Sequence, residues 1–183
     1  MTRKLLTVII AIAASTCANA DSGLYIGAGL TEARASNVYG LGCAGCPAWR
    51  LDSNSWEAML GWRPIQHFAV EAKYESLGRS TAHLSHGDAS FDAKAEGLYA
   101  IGLLPIPSSV FELYGKAGVV RSELDGRSYT FPSRSDTGEE FALGAGVQAH
   151  LSRLGIRLEY ERFDIPQTTN AHVFSIAATF DLP

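Results

Sequence analysis

Residues 56–78, WEAMLGWRPIQHFAVEAKYESLG, carry the pattern that decides the fold. Side chains of a β-strand point alternately to opposite faces of its sheet. On both sides of a tight turn at 64–67, apolar residues fill one face and charged residues the other. The apolar positions are Trp56, Ala58, Leu60 and Trp62 before the turn and Phe68, Val70, Ala72 and Tyr74 after it. The stretch therefore predicts a β-hairpin with one apolar and one polar side.

The same alternation continues along the rest of the chain. It predicts strands at 24–30, 56–63, 68–78, 90–104, 111–121, 138–150, 155–163 and 172–180. Long polar loops at 31–54, 79–89, 122–137 and 164–171 alternate with short turns at 64–67, 105–109 and 151–153. This asymmetry is typical of outer-membrane barrels. We predict an all-β, eight-stranded antiparallel up-and-down transmembrane β-barrel, with long external loops and short periplasmic turns.

Alternation alone does not say which face is inside. A soluble lipocalin-like barrel of the same strand count keeps its apolar residues inside, whereas a membrane barrel turns them to lipid. Two features favour the membrane arrangement, namely carboxylates in mid-strand and aromatic residues near strand ends. The aromatic residues are Tyr25, Trp56, Trp62, Phe68, Tyr74, Phe163 and Phe180.

The first 20 residues predict a signal peptide. Arg3 and Lys4 precede the apolar run 5–14, and Ala18-Asn19-Ala20 is a small-x-small cleavage site. We expect cleavage after Ala20 and a barrel domain over 21–183. No later stretch approaches the roughly 20 apolar residues of a membrane helix. Export without a helical anchor predicts the cell outer membrane of a Gram-negative-type cell.

The charge balance bears on the choice of partners. The full chain has a formal net charge of −4, and removal of Arg3 and Lys4 makes it −6. An acidic chain without basic runs argues against nucleic acid as a partner.

Five sequence blocks, in order, resemble the membrane domain of OmpA and its small porin-like barrel relatives. They are LYIGAGL at 24–30, AKYESLG at 72–78, LYGKAG at 113–118, GAGV at 144–147 and RLEY at 157–160. The resemblance implies charge pairs inside the barrel that act as a gate. Glu71 is at the position of the gate carboxylate and Arg157 at that of its arginine partner, while Ile101 and Gln148 replace the second pair. It also implies outer-membrane lipid as surroundings, and the barrel-assembly machinery as a partner of the last strand, which ends near Phe180.

We place four charged residues, Glu71, Arg157, Lys116 and Glu159, in the lumen. They form either a hydrogen-bonded structural plug or a gate for small ions. The interior of eight strands is narrow enough for side chains to fill it, which favours the plug.

Two loop motifs suggest chemistry. Cys43 and Cys46 lie in an exported loop, where thiols oxidise, so we expect a local disulfide; zinc would need two further ligands, and that loop has no His. His83, Ser85, His86 and Asp88 suggest a hydrolase triad or a metal site, but polar loops commonly contain these residue types. His83-Leu84-Ser85-His86 matches the His-x-Ser-Asn pattern of lipid A deacylase barrels poorly. We expect no catalytic site, no metal and no cofactor.

The sequence thus favours a structural or surface-interaction role through the external loops, with an extracellular partner that the sequence does not name. The alternatives are a membrane-embedded lipid A-modifying hydrolase, a weak gated pore and a soluble periplasmic ligand-binding barrel.

Overall fold

A computed structural model describes residues 23–36, 51–84, 87–107, 110–128, 134–163 and 169–183. Their strands are β1 Gly23–Ser36, β2 Leu51–Ile65, β3 Phe68–Leu84, β4 Gly87–Pro105, β5 Phe111–Ser128, β6 Arg134–Leu151, β7 Leu154–Phe163 and β8 Thr169–Asp181. Consecutive strands pair antiparallel and β1 also pairs with β8, which closes the barrel. The predicted fold is confirmed. Within the described ranges, no helix is long and apolar enough to cross a membrane.

The hairpin that decides the fold forms as predicted. In β2 and β3, Leu60 lies opposite Ala72 and Trp62 opposite Val70, and the chain reverses at 66–67. The turn is fixed by the Arg63 side chain, whose Nη2 donates to the Gln66 carbonyl oxygen at 2.5 Å. We call this end of the barrel, which also holds the turns after β4 and β6, the turn end, and the opposite end the loop end.

The seam between β1 and β8 joins the first and the last of the described strands. Its register runs from Tyr25 opposite Asp181 to Ser36 opposite Thr169, with one irregularity next to Ser36. Beyond β8, the Leu182 amide donates to the Leu24 carbonyl oxygen at 2.8 Å. The seam therefore leaves no open sheet edge between the first strand and the last.

The predicted loop boundaries are wrong, because the strands are longer than their apolar pattern. Residues 31–36, 51–54, 79–84, 87–89, 122–128, 134–137 and 169–171 belong to strands. The backbone ladder continues past the apolar band, where outward positions no longer need apolar side chains to face lipid. The alternation of apolar and polar residues, by which a strand is recognised in the sequence, therefore stops before the strand itself ends.

The outer surface is apolar and the lumen is polar. Leu30 is 68% exposed and Phe141 60% exposed, whereas the carboxylates of Glu71 and Glu161 are fully buried. A soluble barrel has the reverse arrangement. The soluble ligand-binding alternative is therefore wrong for this fold.

Aromatic side chains on the outside cluster in pairs. The rings of Trp56 and Tyr74 lie 5.3 Å apart, and those of Tyr160 and Phe174 lie 4.9 Å apart. Tyr25 departs from the expected set of membrane-facing aromatics because its ring points into the lumen, where only 6% of the residue is exposed.

Glycine makes room for the rings inside this narrow lumen. A Cβ at Gly61 would overlap the Tyr25 ring, and one at Gly97 would overlap the Tyr99 ring. A Cβ at Gly115, on the outside, would lie 4.0 Å from its nearest neighbour, the Gly144 carbonyl oxygen. The inward glycines are thus required by packing, whereas Gly115 is not.

Candidate functional site

The turn end of the lumen holds a charged cluster around Glu112. The Arg63 guanidinium makes a two-pronged contact with it, Nη2 to Oε1 at 2.7 Å and Nη1 to Oε2 at 3.2 Å. The His150 Nε2 lies 3.3 Å from the same Oε2. Sequence analysis did not select these residues, although Arg63 shares the polar face of the hairpin. The cluster ties β2, β5 and β6 together.

An ion pair crosses the lumen at the next level. The Arg157 Nη1 on β7 donates to the Glu71 Oε2 on β3 at 2.6 Å, and Tyr25 donates to the same oxygen at 2.7 Å. The guanidinium also donates to the Gln148 side-chain oxygen and lies 4.8 Å from the centre of the Tyr114 ring. Since β3 and β7 are on opposite sides of the barrel, this contact obstructs the lumen.

Lys116 and Glu159 meet in the middle of the lumen. The Lys116 Nζ lies 2.6 Å from Glu159 Oε1 and 2.7 Å from Glu161 Oε2. Tyr114 donates to Glu159 at 2.6 Å, and Tyr99 donates to Glu161. All four residues that sequence analysis placed in the lumen are therefore buried in it; a gating role for them stays a prediction.

A second lysine joins the same network from β3. The Lys73 Nζ contacts four carboxylates, at 2.7 Å from Glu57, 2.5 Å from Glu75, 2.8 Å from Glu159 and 3.3 Å from Glu161. Sequence analysis did not select Lys73, Glu57, Glu75 or Glu161 as site residues. The sequence pattern did indicate that they face the lumen. Lys73, Glu57 and Glu75 lie on the polar face of the hairpin, and Glu161 is two residues after Glu159 and so points to the same side of its strand.

Above the charges, towards the loop end, the lumen is lined by small and apolar side chains. Each of the six residues is at most 2% exposed; they are Ala33, Leu77, Ala95, Val120, Ala142 and Val173. We call them the apolar layer. It separates the charged network from the loop end, so water has little access to the charges from that side.

The positions assigned to the lost second charge pair have uncharged roles. Ile101 is fully buried in the apolar packing of the lumen. Gln148 accepts from Arg157, and its Nε2 donates to Thr179 at 2.9 Å. Neither position leaves a charge without a partner.

The predicted loop motifs lie mostly outside the described residues. This is true of Cys43, Cys46, Ser85 and His86, and of the signal segment 1–20. His83 and Asp88 are described only as strand residues, directly opposite each other in β3 and β4. The prediction that they lie in a loop is wrong, because the two strands continue almost to their connection.

In chemical terms the lumen is a filled, mostly paired polar core. The Glu71, Glu159 and Glu161 carboxylates each contact more than one lysine, arginine or tyrosine donor. Glu57 and Glu75 share the Lys73 ammonium. The Arg157–Glu71 contact spans the lumen at this level. These contacts join side chains of β1, β3, β4, β5 and β7 across the lumen.

A closed antiparallel barrel with an apolar exterior and a charged interior is a transmembrane β-barrel. Residues 5–181 match the family described as outer membrane protein beta-barrel domain, and the chain belongs to this family of outer-membrane proteins.

Solved structures of small barrels share the fold. Ail, the attachment invasion locus protein of Yersinia pestis, solved with the heparin analogue sucrose octasulfate, is 17% identical with a TM-score of 0.63; the match covers 89% of this chain and 100% of that one. Neisserial surface protein A is 15% identical, with a TM-score of 0.68 and coverage of 89% and 100%. The N-terminal barrel of Pseudomonas aeruginosa OprF is 10% identical, with a TM-score of 0.56 and coverage of 87% and 98%. No curated protein sequence matches the chain.

Proposed function

We propose that this barrel is a non-enzymatic scaffold that presents its external loops to an extracellular partner. The observation that carries the proposal is the filled lumen, in which the ion pair of Arg157 with Glu71 lies at 2.6 Å below the apolar layer. A lumen closed by side chains leaves the loop end as the part of the molecule available for contact. The fold by itself does not select a function.

The composition of the loops supports contact with a protein surface. The sequence outside the described strands contains Tyr39, Trp49, Tyr129 and Phe131. Tyrosine and tryptophan are enriched among residues that dominate binding energy at protein interfaces. Several of them in short connections favour a protein partner.

A sulfated polyanion is less favoured by the charges. Ail was solved with a heparin analogue, but the connection 37–50 here contains a single basic residue, Arg50, and 129–133 contains none. Binding of a polyanion depends on a cluster of positive charge. These two connections contain aromatic residues rather than such a cluster.

The test is adhesion of bacteria that produce the protein to wells coated with extracellular-matrix protein or with heparin. We expect adhesion to the protein coat that falls at least severalfold when Trp49 and Phe131 are both replaced by Ser. The matched control is Leu182→Ser at the turn end, with equal amounts of folded protein in the outer membrane verified on unheated and boiled gels. Unchanged adhesion of the loop variant, or adhesion to heparin alone, would contradict the proposal.

Absence of enzyme activity is part of the proposal and needs its own test. The motif that suggested a hydrolase contains His83 and Asp88, which occupy directly opposite register positions in β3 and β4. We expect lipid A from cells overproducing the protein to be unchanged by mass spectrometry. Deacylated lipid A that disappears in His83→Ala would establish the hydrolase alternative instead.

Export and assembly complete the proposal. The leader 1–20 would be removed after Ala20, and the last strand, ending near Phe180, would engage the barrel-assembly machinery. N-terminal sequencing of the protein from outer membranes should begin at Asp21. A different first residue would disprove that cleavage site.

A further inference from the structure

The outer face of β7 and β8 has the same order of residue types on both strands. From the loop end towards the middle of the barrel, a basic, an aromatic and an aliphatic pair follow one another at directly opposite positions: Arg162 with His172, Tyr160 with Phe174, and Leu158 with Ile176. His172 is half-buried and the other five are exposed. We call these six residues the amphipathic ladder, because one end of it is charged and the other is apolar.

Side-chain contacts fix the upper part of the ladder. The Tyr160 hydroxyl oxygen lies 2.6 Å from the His172 Nδ1, and the two rings are stacked with their centres 6.0 Å apart. The Tyr160 ring also packs on Phe174, with the centres 4.9 Å apart. With the Tyr160 hydroxyl as the donor, the neutral His172 ring carries its proton on Nε2, which is then a donor itself. The ladder therefore presents nitrogen donors next to an aromatic surface.

The basic pair at the top of the ladder has no carboxylate directly opposite it in the described register. The residue beyond Arg162, in β6, is Leu143, and the residue beyond His172, in β1, is Arg34. Arg34 is in turn opposite Asp52 of β2. Because like charges at directly opposite positions destabilise a sheet, Arg162 and His172 favour an anion beside them.

Other basic residues on the outer face near the loop end are arranged differently. Lys94 of β4 forms an ion pair with Glu123 of β5 at 3.2 Å. Arg121 of β5 lies between two carboxylates, with Glu96 directly opposite on one side and Glu139 on the other. The basic pair of the ladder is therefore a local feature of the outer surface.

A groove on the outer surface leads away from the basic pair. It is lined by the aromatic and aliphatic residues of the ladder, and the side chains of Leu30 and Val147 extend it onto β1 and β6. Glu32 of β1 also lines it, one outward position from Leu30. The groove is thus mainly apolar, with the basic pair near one end and one carboxylate on its rim.

We propose that the amphipathic ladder binds one phosphorylated glycolipid of the outer leaflet, of the lipid A type. Its phosphate accepts from the Arg162 guanidinium and the His172 Nε2, and an acyl chain lies in the groove along Leu158 and Ile176. Guanidinium groups bind phosphate oxygens through two parallel hydrogen bonds. The long loops face outwards, so the lipid within reach of this end of the barrel is that of the outer leaflet.

The apolar part of the ladder favours an amphiphile over a soluble anion. A soluble polyanion could contact Arg162 and His172 but would leave the aromatic and aliphatic pairs exposed to water. Burial of such side chains against an acyl chain is favourable. The site lies on the outer wall of the barrel, so it is independent of the loop contacts proposed for adhesion.

The test measures lipid binding to the folded barrel by native mass spectrometry. The barrel is refolded in a neutral detergent and mixed with lipid A, or with the same lipid after enzymatic removal of its phosphates. We expect one lipid A per barrel to stay bound under conditions in which the dephosphorylated lipid is lost. The double variant Arg162→Gln/His172→Gln should lower the bound fraction of lipid A severalfold.

Two further variants act as a control and as a change of opposite sign. Lys94→Gln/Arg121→Gln is the matched control, since it removes outward basic side chains from β4 and β5, and it should leave binding unchanged. Glu32→Gln removes a carboxylate that repels a phosphate at the groove, so it should raise the bound fraction of lipid A. Folding of each variant is verified on unheated and boiled gels.

Several results would overturn the proposal. Equal binding of lipid A and its dephosphorylated form to the wild-type barrel would do so, whether or not any variant folds. Equal loss of lipid A in the Lys94→Gln/Arg121→Gln control, or a lower bound fraction in Glu32→Gln, would also refute the site. Equal retention of phosphatidylglycerol would refute its assignment to a glycolipid.

Discussion

Replacing Arg157 by Met should destabilise the barrel more than its modest change in volume suggests. Methionine keeps an unbranched side chain of similar volume and removes the charged guanidinium. The change abolishes the 2.6 Å contact with Glu71 and the two hydrogen bonds to Gln148. Glu71 then remains a fully buried carboxylate with Tyr25 as its donor.

The magnitude follows from the cost of leaving a buried charge without its partner. Breaking such a pair on one side costs about 3–5 kcal/mol. This is roughly a hundredfold to several-thousandfold in the folding equilibrium, since about 1.4 kcal/mol is a factor of ten. Adding Glu71→Gln removes the stranded charge as well, so the double variant should be more stable than Arg157→Met alone.

Urea unfolding in lipid vesicles measures both effects. Trp56 and Trp62 lie on the outward face of β2, so their fluorescence reports the loss of lipid contact. A double-mutant cycle of the two substitutions isolates the coupling between the side chains. A loss below about 1 kcal/mol for Arg157→Met, or effects that simply add in the double variant, would show that the pair does not hold the lumen together.

Three further predictions concern the inner and outer faces of the barrel and its folded, heat-resistant form. Leu60→Arg, on the lipid face, should cost about 2–4 kcal/mol in the same assay, whereas Glu96→Arg, above the apolar band, should cost about 0–1 kcal/mol; equal costs would disprove the assigned faces. Gly61→Ala should prevent formation of the heat-resistant form on unboiled gels because its Cβ overlaps the Tyr25 ring, while Gly115→Ala should not; identical gels would contradict this packing. The wild-type protein should run faster unheated than boiled and give no steady conductance in planar bilayers, and an open channel would refute the closed lumen.

The hairpin was predictable because it lies within the apolar band. There, lipid on one side and charge on the other enforce strict alternation, so a short stretch such as Leu60 to Trp62 already determines which face is which. Outside the band the ladder continues with polar residues on both faces, and the strand ends were missed. Tyr25 shows a related limit of sequence-based prediction. Aromatic rings occur both on the outer surface and in the lumen of the barrel, so residue type alone does not say which way the ring points.

Individual lumen charges were predictable, but most of their contacts were not. The alternation of side chains along each strand is enough to place four charged residues inside the barrel, namely Glu71, Lys116, Arg157 and Glu159. The resemblance to OmpA-like barrels paired Arg157 with Glu71. The contacts of Lys73 and Lys116 with Glu159 depend on the stagger of strands that are far apart in sequence, which no local pattern encodes. The Arg63 cluster was missed for the same reason, because Glu112 and His150 come from β5 and β6.

The seam between β1 and β8 has a consequence for biogenesis. The backbone hydrogen bonds that close the barrel connect residues near 25 with residues near 180. Every folding intermediate that lacks the final strand therefore has two unpaired strand edges. Such species are vulnerable to proteases and to pairing with other chains. We therefore expect a truncation that removes β8 alone to deplete the protein from the envelope, because it leaves both of these edges unpaired.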